Sequence, residues 1–271
     1  MADHEGEIKK LLKVLRKLDH PPAGPNWARF IHHADPAKTA KSIVRFAKGQ
    51  PSFNYQPAYR AIKDRIELGI SLEIALNVAS KKVAPSGLTQ NRELVEAFFE
   101  YDEERKYSAS NPIGFDLEYF RVSREVIVPV APLCIIREQK KFVPIFLCGW
   151  SSNPLLLMQR RLLATMYEDA FLSLTDYQNS PAEILFFPKT ENGSDDGEKK
   201  RRAPEVWPRG EYQTLSKKEL DECVEVFVAA RDIAREVLLT DVQALRAKAA
   251  AEAEKGQLSI EPFDGDIFAK K

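Results

Sequence analysis

Cysteine is scarce, with three residues in 271: Cys134, Cys148 and Cys223. An odd number without CxxC spacing excludes a disulfide framework and reads as reduced thiols. Cys134 and Cys148 are expected to face one another across a hairpin, as small hydrophobes rather than ligands. Excess charge is lacking as well. Forty Lys and Arg balance forty Asp and Glu, so no global field draws the chain toward nucleic acid or an acidic membrane. No apolar run reaches the ~18 residues of a membrane span. Met1 to Glu7 is polar and acidic with no apolar stretch behind it, unlike a secretory leader. The expected setting is the cytoplasm, with no membrane partner.

Familiar catalytic signatures are also missing. His32 and His33 are adjacent and lack a second ligand pair at metal spacing. There is no GxxxxGK[ST], GxGxxG or GxSxG element, which argues against nucleotide binding and a hydrolase elbow of the usual kinds. No cysteine carries a nucleophile signature. No cofactor is implied.

What the chain does carry is periodicity. Residues 5–18 repeat apolar side chains at helical spacing, and Lys9, Lys10, Lys13, Arg16 and Lys17 make the opposite face basic. The prolines between His20 and Pro25 stop that helix. Four helices follow. The first is capped by Asp35, opened by Pro36 and closed by Gly49. The others span Pro57 to Leu68, Ser71 to before Pro85, and Thr89 to about Lys106. Residues 115–122, 126–136 and 142–150 are rich in Val, Ile, Phe and Tyr between polar turns, as in a three-stranded antiparallel meander. Pro129, Pro132 and Pro144 call for bulges or edges there. Asn153 and Pro154 then open a helix, and Ala182 to Phe187 reads as a buried strand reached by a right-handed parallel crossover. Residues 189–211 are nearly free of hydrophobes and read as a loop. Ser216 and Glu219 form a capping box for a long last helix to about Lys255.

The expected fold is therefore α+β, an αβββαβ core with a mixed sheet, a helical N-terminal region and a long C-terminal helix. Its expected divisions are an arm (1–26), a helical region (27–106, whose last helix, 89–106, joins the core), the core sheet (107–188), a loop (189–211) and the C-terminal helix and tail (212–271). The order of elements over residues 89–190 resembles the PD-(D/E)XK nuclease superfamily, in particular its RecB-like branch. That resemblance is one of topology. It implies an acidic residue on the second strand and Glu-x-Lys on the third, gathered around a divalent metal. Here Val126 to Ile136 and Phe142 to Trp150 contain no charged residue, so the places for that site are apolar. The Gln-xxx-Tyr element of the RecB-like branch fails as well, since Gln159 is followed by Leu163 at the required position. Asp116 with Glu138 and Lys140 matches the bare pattern. Asp176 with Glu198 and Lys200 matches it at the same separation, and Glu138 and Lys140 fall where a hairpin turns. An alternative Mg²⁺ site would join Asp116 and Glu118 to Glu96 or Glu100.

Charge is unevenly distributed. Residues 27–90 hold ten Lys or Arg against four Asp or Glu, whereas 93–118 hold eight acids against two bases. Lys38, Lys41, Arg45 and Lys48 recur at steps of 3, 4 and 3, which puts four cations on one helix face. Such a ridge neutralises phosphates without reading sequence; it is otherwise a solvated face, or pairs with the acidic helix that follows. Pro57 to Lys82, with Gly69 at the turn, also fits a helix-turn-helix spacing, although Asp64 and Arg65 stand at unsuitable positions. The leading expectation is a non-catalytic binding or accessory protein, acting on nucleic acid or within a nucleic-acid-processing assembly. The alternatives are a metal-dependent nuclease with a displaced site at Asp116 and Glu118, or a scaffold that binds a protein partner through the long C-terminal helix.

Overall fold

A computed structural model describes residues 2–49, 53–81, 83–107, 113–190 and 201–258. The tail beyond 258, and residues 191–200 with the second Glu-x-Lys match at Glu198 and Lys200, lie outside the described residues. Among the described residues eight α-helices and six strands follow one another as α1 (Ala2–Lys17), α2 (Gly24–Phe30), α3 (Pro36–Lys48), α4 (Gln56–Leu68), α5 (Leu72–Ser80), α6 (Pro85–Arg105), β1 (Glu118–Arg121), β2 (Ile127–Val130), β3 (Cys134–Glu138), β4 (Lys141–Cys148), α7 (Leu157–Tyr167), β5 (Glu183–Phe186), β6 (Glu205–Pro208) and α8 (Lys217–Leu258). The fold class is α+β. No helix among the described residues is long and apolar enough to cross a membrane.

The sheet is mixed, in the order β3-β4-β5-β6, with β4 and β5 parallel and the outer pairs antiparallel. The parallel pairing of residues 182–187 with the preceding strand is as expected. The meander is not. The segment 126–136 breaks at Ala131 and Pro132, so β2 pairs only with β1 in a separate hairpin and β3 alone joins the main sheet. Pro132 has no N–H to offer a ladder. The next residue resumes pairing, its Leu133 N–H donating to Ile145 O at 2.6 Å. That bond turns the backbone groups of Ile145 toward β3 and those of Pro144 the other way. Pairing with β5 begins only at Ile145, so the proline leaves no partner unmatched.

Strand alternation divides the core in two. Cys134, Ile136, Val143, Ile145, Leu185 and Phe187 pack with α4, α5 and α6. Ile135, Phe146, Cys148, Ile184, Phe186 and Trp207 pack with α2, α3, α7, α8 and the hairpin. Both faces being covered, the strands are apolar along their middles, as buried strands are, and their charged residues stand at the strand ends. Each large side chain so buried stabilises the fold by roughly 1.5–3 kcal/mol. Cys134 and Cys148 thus lie on opposite faces, not against each other, and burial raises each thiol to about 12.

Four boundaries differ from the sequence reading. Helix α2 occupies 24–30, across the expected boundary at 26/27 between the N-terminal arm and the helical region, where no separate helix was read. Helix α6 starts at Pro85, four residues early, because Gly87 is helical where Phe53 crosses it; a Cβ there would meet Phe53 Cβ at 2.4 Å. Strand β6 lies inside the expected loop 189–211 and pairs with β5. Helix α7 starts at Leu157 rather than Pro154. Its Gln159 accepts from Leu156 N–H and donates to Arg29 O and Ile31 O, which satisfies carbonyls at the end of α2.

Candidate functional site

Helix α3 forms as its sequence dictates. Asp35 Oδ1 accepts from Lys38 N–H at 2.8 Å, Pro36 opens the helix and Gly49 follows its last turn. Thr39, Ala40, Ile43 and Ala47 are buried, on the face that α8 covers. Lys38, Lys41, Arg45 and Lys48 are all exposed on the other side. Lys48 Nζ pairs with Asp241 of α8 at 2.7 Å, whereas Lys38, Lys41 and Arg45 have no ion-pair partner among the described residues. Three of the eight acids of 93–118 are engaged elsewhere, Asp102 with Arg65, Glu96 with Arg92 and Glu93 with Lys189, and none of the eight pairs with the ridge among the described residues. The His32 ring lies near Lys38, and burial first, then that cation, lowers its pKa.

The acidic candidates are not assembled into a metal site. Asp116 lies before β1 and Glu118 is its first residue, so the two do not share a strand. Both face Tyr177, whose hydroxyl is pushed up by burial and then by Asp176, Asp116 and Glu118. Among the described residues no three His, Cys, Asp or Glu side chains are grouped to hold a metal ion. Asp116, Glu118, Glu96 and Glu100 therefore do not meet. Glu138 ends β3, bound to Arg105, and Lys140 sits in the two-residue turn to β4. In the helix-turn-helix segment, α5 exposes Leu72, Glu73, Ile74 and Asn77, none of them a cation that a phosphate would need.

Sequence reading missed two features. Arg202, whose side chain is fully buried, sits at the carboxyl ends of the parallel strands. Its Nη1 donates to Gly149 O, Trp150 O and Phe187 O, and its Nη2 to the Tyr55 hydroxyl and Gln90. Glu93 Oε2 lies 3.8 Å from its Nε and 2.8 Å from Lys189 Nζ, without hydrogen-bond alignment to either. This cluster locks β6 to β4 and β5; nothing in the local sequence distinguishes Arg202 from Arg201. The second feature is a pair of cavities. One, about 620 Å³, is apolar and lies between α1, α2, α3 and α8, beside Leu18, Phe30, Phe46 and Phe227. The other, about 550 Å³, borders α4 and includes Arg60 and Lys63.

Comparison with known protein families, with curated proteins and with solved structures finds no match for this chain.

Proposed function

We propose that this chain is a non-catalytic binding protein that grips the phosphate backbone of a nucleic acid along α3, as an accessory within a nucleic-acid-processing assembly. The observation that carries the reading is the ridge: Lys38, Lys41 and Arg45 stand exposed on one face of a helix whose other face is buried, without an ion-pair partner among the described residues. Unpaired cations at helical spacing meet successive phosphates and release their counterions. The order α6, β3, β4, α7, β5, with β5 parallel to β4, supports the likeness to a nuclease-type core. The hairpin β1-β2, paired outside the sheet, is where the chain departs from that core.

The test is binding of labelled duplex DNA and single-stranded RNA across a salt series, with Mg²⁺ added in parallel to reveal any cleavage. Binding that weakens steeply with salt, the nucleic acid staying intact, supports the proposal. No binding to either polymer at low salt sinks it.

A further inference from the structure

Apart from the ridge, the cleft beside α4 has the makings of a small-molecule site. It opens between α4, the start of α2 and the segment 129–133 that leads from the hairpin into the main sheet, and it encloses about 550 Å³. Ligand sites for metabolite-sized molecules run from ~300 to ~1,000 Å³ and combine apolar walls with a few convergent polar groups. Here the walls are Pro132, Leu133 and Leu147, with Trp150 and Tyr167 as aromatic surface.

The charge is of one sign. Arg60 and Lys63, three residues apart and so on one face of α4, both line the cleft, and no Asp or Glu does among the described residues. Arg60 is exposed and has no partner among the described residues. Lys63 is only loosely engaged: its Nζ lies 3.7 Å from Glu67 and 5.5 Å from the centre of the Phe115 ring. The Arg29 guanidinium, 5.4 Å over Trp150, adds positive charge at that wall. A hydroxyl donor is also left over. Tyr59 lines the cleft and accepts from Gly149 N–H at 2.8 Å, while its own proton has no acceptor among the described residues. A half-buried donor without a partner is costly, and a ligand oxygen would satisfy it.

We infer that this cleft binds a small organic anion with an aromatic or alicyclic body, its carboxylate or phosphate held by Arg60 and Lys63. Guanidinium groups bind both oxyanions in a forked geometry, so charge and shape act together. The site is separate from the α3 ridge and stands whether or not the chain binds nucleic acid.

Calorimetric titration of the full chain with naphthalene-2-carboxylate, 2-naphthyl phosphate and the neutral naphthalene-2-carboxamide tests it. At least one anion is expected to bind with a Kd below ~1 mM, and the amide about tenfold more weakly or worse. The two anions distinguish a carboxylate site from a phosphate site. In Arg60→Gln/Lys63→Gln the preference for the anion disappears while the amide is held as before. Ala131→Trp, which fills the cleft, abolishes binding of all three. Failure of both anions to bind, or an anion preference that survives in the folded double variant, overturns the inference. If the double variant does not fold, unchanged anion binding by Ala131→Trp overturns it instead.

Discussion

Arg105 forks onto Glu138, its Nη1 reaching Oε1 at 3.1 Å and its Nη2 reaching Oε2 at 2.8 Å. The same guanidinium donates to Glu183 Oε1 through Nε and Nη2, and the Tyr107 hydroxyl donates to the other Glu183 oxygen. This network ties the end of α6 to the end of β3 and the first residue of β5. Glu138, the acid that a Glu-x-Lys pattern would offer to a metal, is thereby occupied as an anchor of the sheet.

Replacing Arg105 removes the counter-charge of two carboxylates at once. Their side chains are 28% and 15% exposed, so water relieves the loss only in part. Arg105→Gln should destabilise the fold by about 2–3 kcal/mol, less than a fully buried broken pair because of that residual solvation. Glu138→Gln, which keeps the Arg105–Glu183 arm, should cost less. Urea unfolding of the three proteins measures both; equal stability of wild type and Arg105→Gln would contradict the anchoring role.

The turn beside that anchor is strained. Gln139 and Lys140, which join β3 to β4, have φ of 48° and 67°, a left-handed conformation that costs L-residues ~1–2 kcal/mol each. Two-residue hairpin turns of this hand favour Asn-Gly. Gln139→Asn/Lys140→Gly should therefore raise stability by about 1 kcal/mol, the added freedom of glycine in the unfolded chain offsetting part of the gain. A lowered urea midpoint would refute the account.

These positions show what the sequence could and could not disclose. Helix α3 was legible because Asp35, Pro36 and Gly49 each act within one turn, and so was the exposure of the four cations between them. The parallel pairing of β5 with β4 was legible because a capped helix of crossover length separates two apolar runs. The split of 126–136 was not: Val126 to Ile136 is continuously apolar, and whether Pro132 bends a strand or sends its halves to different sheets depends on distant partners. The start of α6 was hidden because Pro85, Ser86 and Gly87 read as a turn, while the helix there depends on contact with Phe53. Arg202 and the Arg60 cleft were invisible for the same reason, since their partners are brought together only by the tertiary fold. Charge near β6, read as loop character, turned out to be an arginine buried against main-chain carbonyls.

Acid stability should carry the signature of the α8 cap. Arg161 forks onto Glu219 at 2.8 and 3.0 Å, and Ser216 N–H donates to Glu219 Oε2 at 2.8 Å. The Arg161 hydrogen bonds first, then those from Ser216, hold this carboxyl at about 2 rather than its usual 4.5. A folded-state pKa below the unfolded one contributes stability that is present above the unfolded value and lost as pH falls through the folded one. Wild type should therefore lose its advantage over Glu219→Gln between about pH 5 and pH 2, and the difference should shrink in high salt because the group is exposed. Thermal midpoints of both proteins at several pH values in that window decide it. Parallel curves would mean that the cap does not hold the charge.

The ridge makes the most demanding prediction, because its four cations are not equivalent. Each phosphate neutralised on duplex DNA steepens the fall of log affinity with log salt by ~0.9. Changing Lys38, Lys41, Arg45 and Lys48 together to glutamine, which has similar helix propensity, should reduce the slope by up to about four units without melting α3. Taken singly, Lys41→Gln and Arg45→Gln should each remove about one unit, since neither side chain has an ion-pair partner among the described residues. Lys48→Gln should remove less, because Asp241 already holds that ammonium at 2.7 Å. The pair is partly exposed and so weak enough to exchange. Asp241→Asn should then act in the opposite sense and steepen the slope, releasing Lys48 to the phosphates and deleting a nearby negative charge. Circular dichroism on each variant confirms that the helix persists. If the fourfold variant is folded and keeps the wild-type slope, or if Asp241→Asn leaves the slope unchanged while Lys48→Gln lowers it by a full unit, the ridge does not bind as its ion pairing dictates.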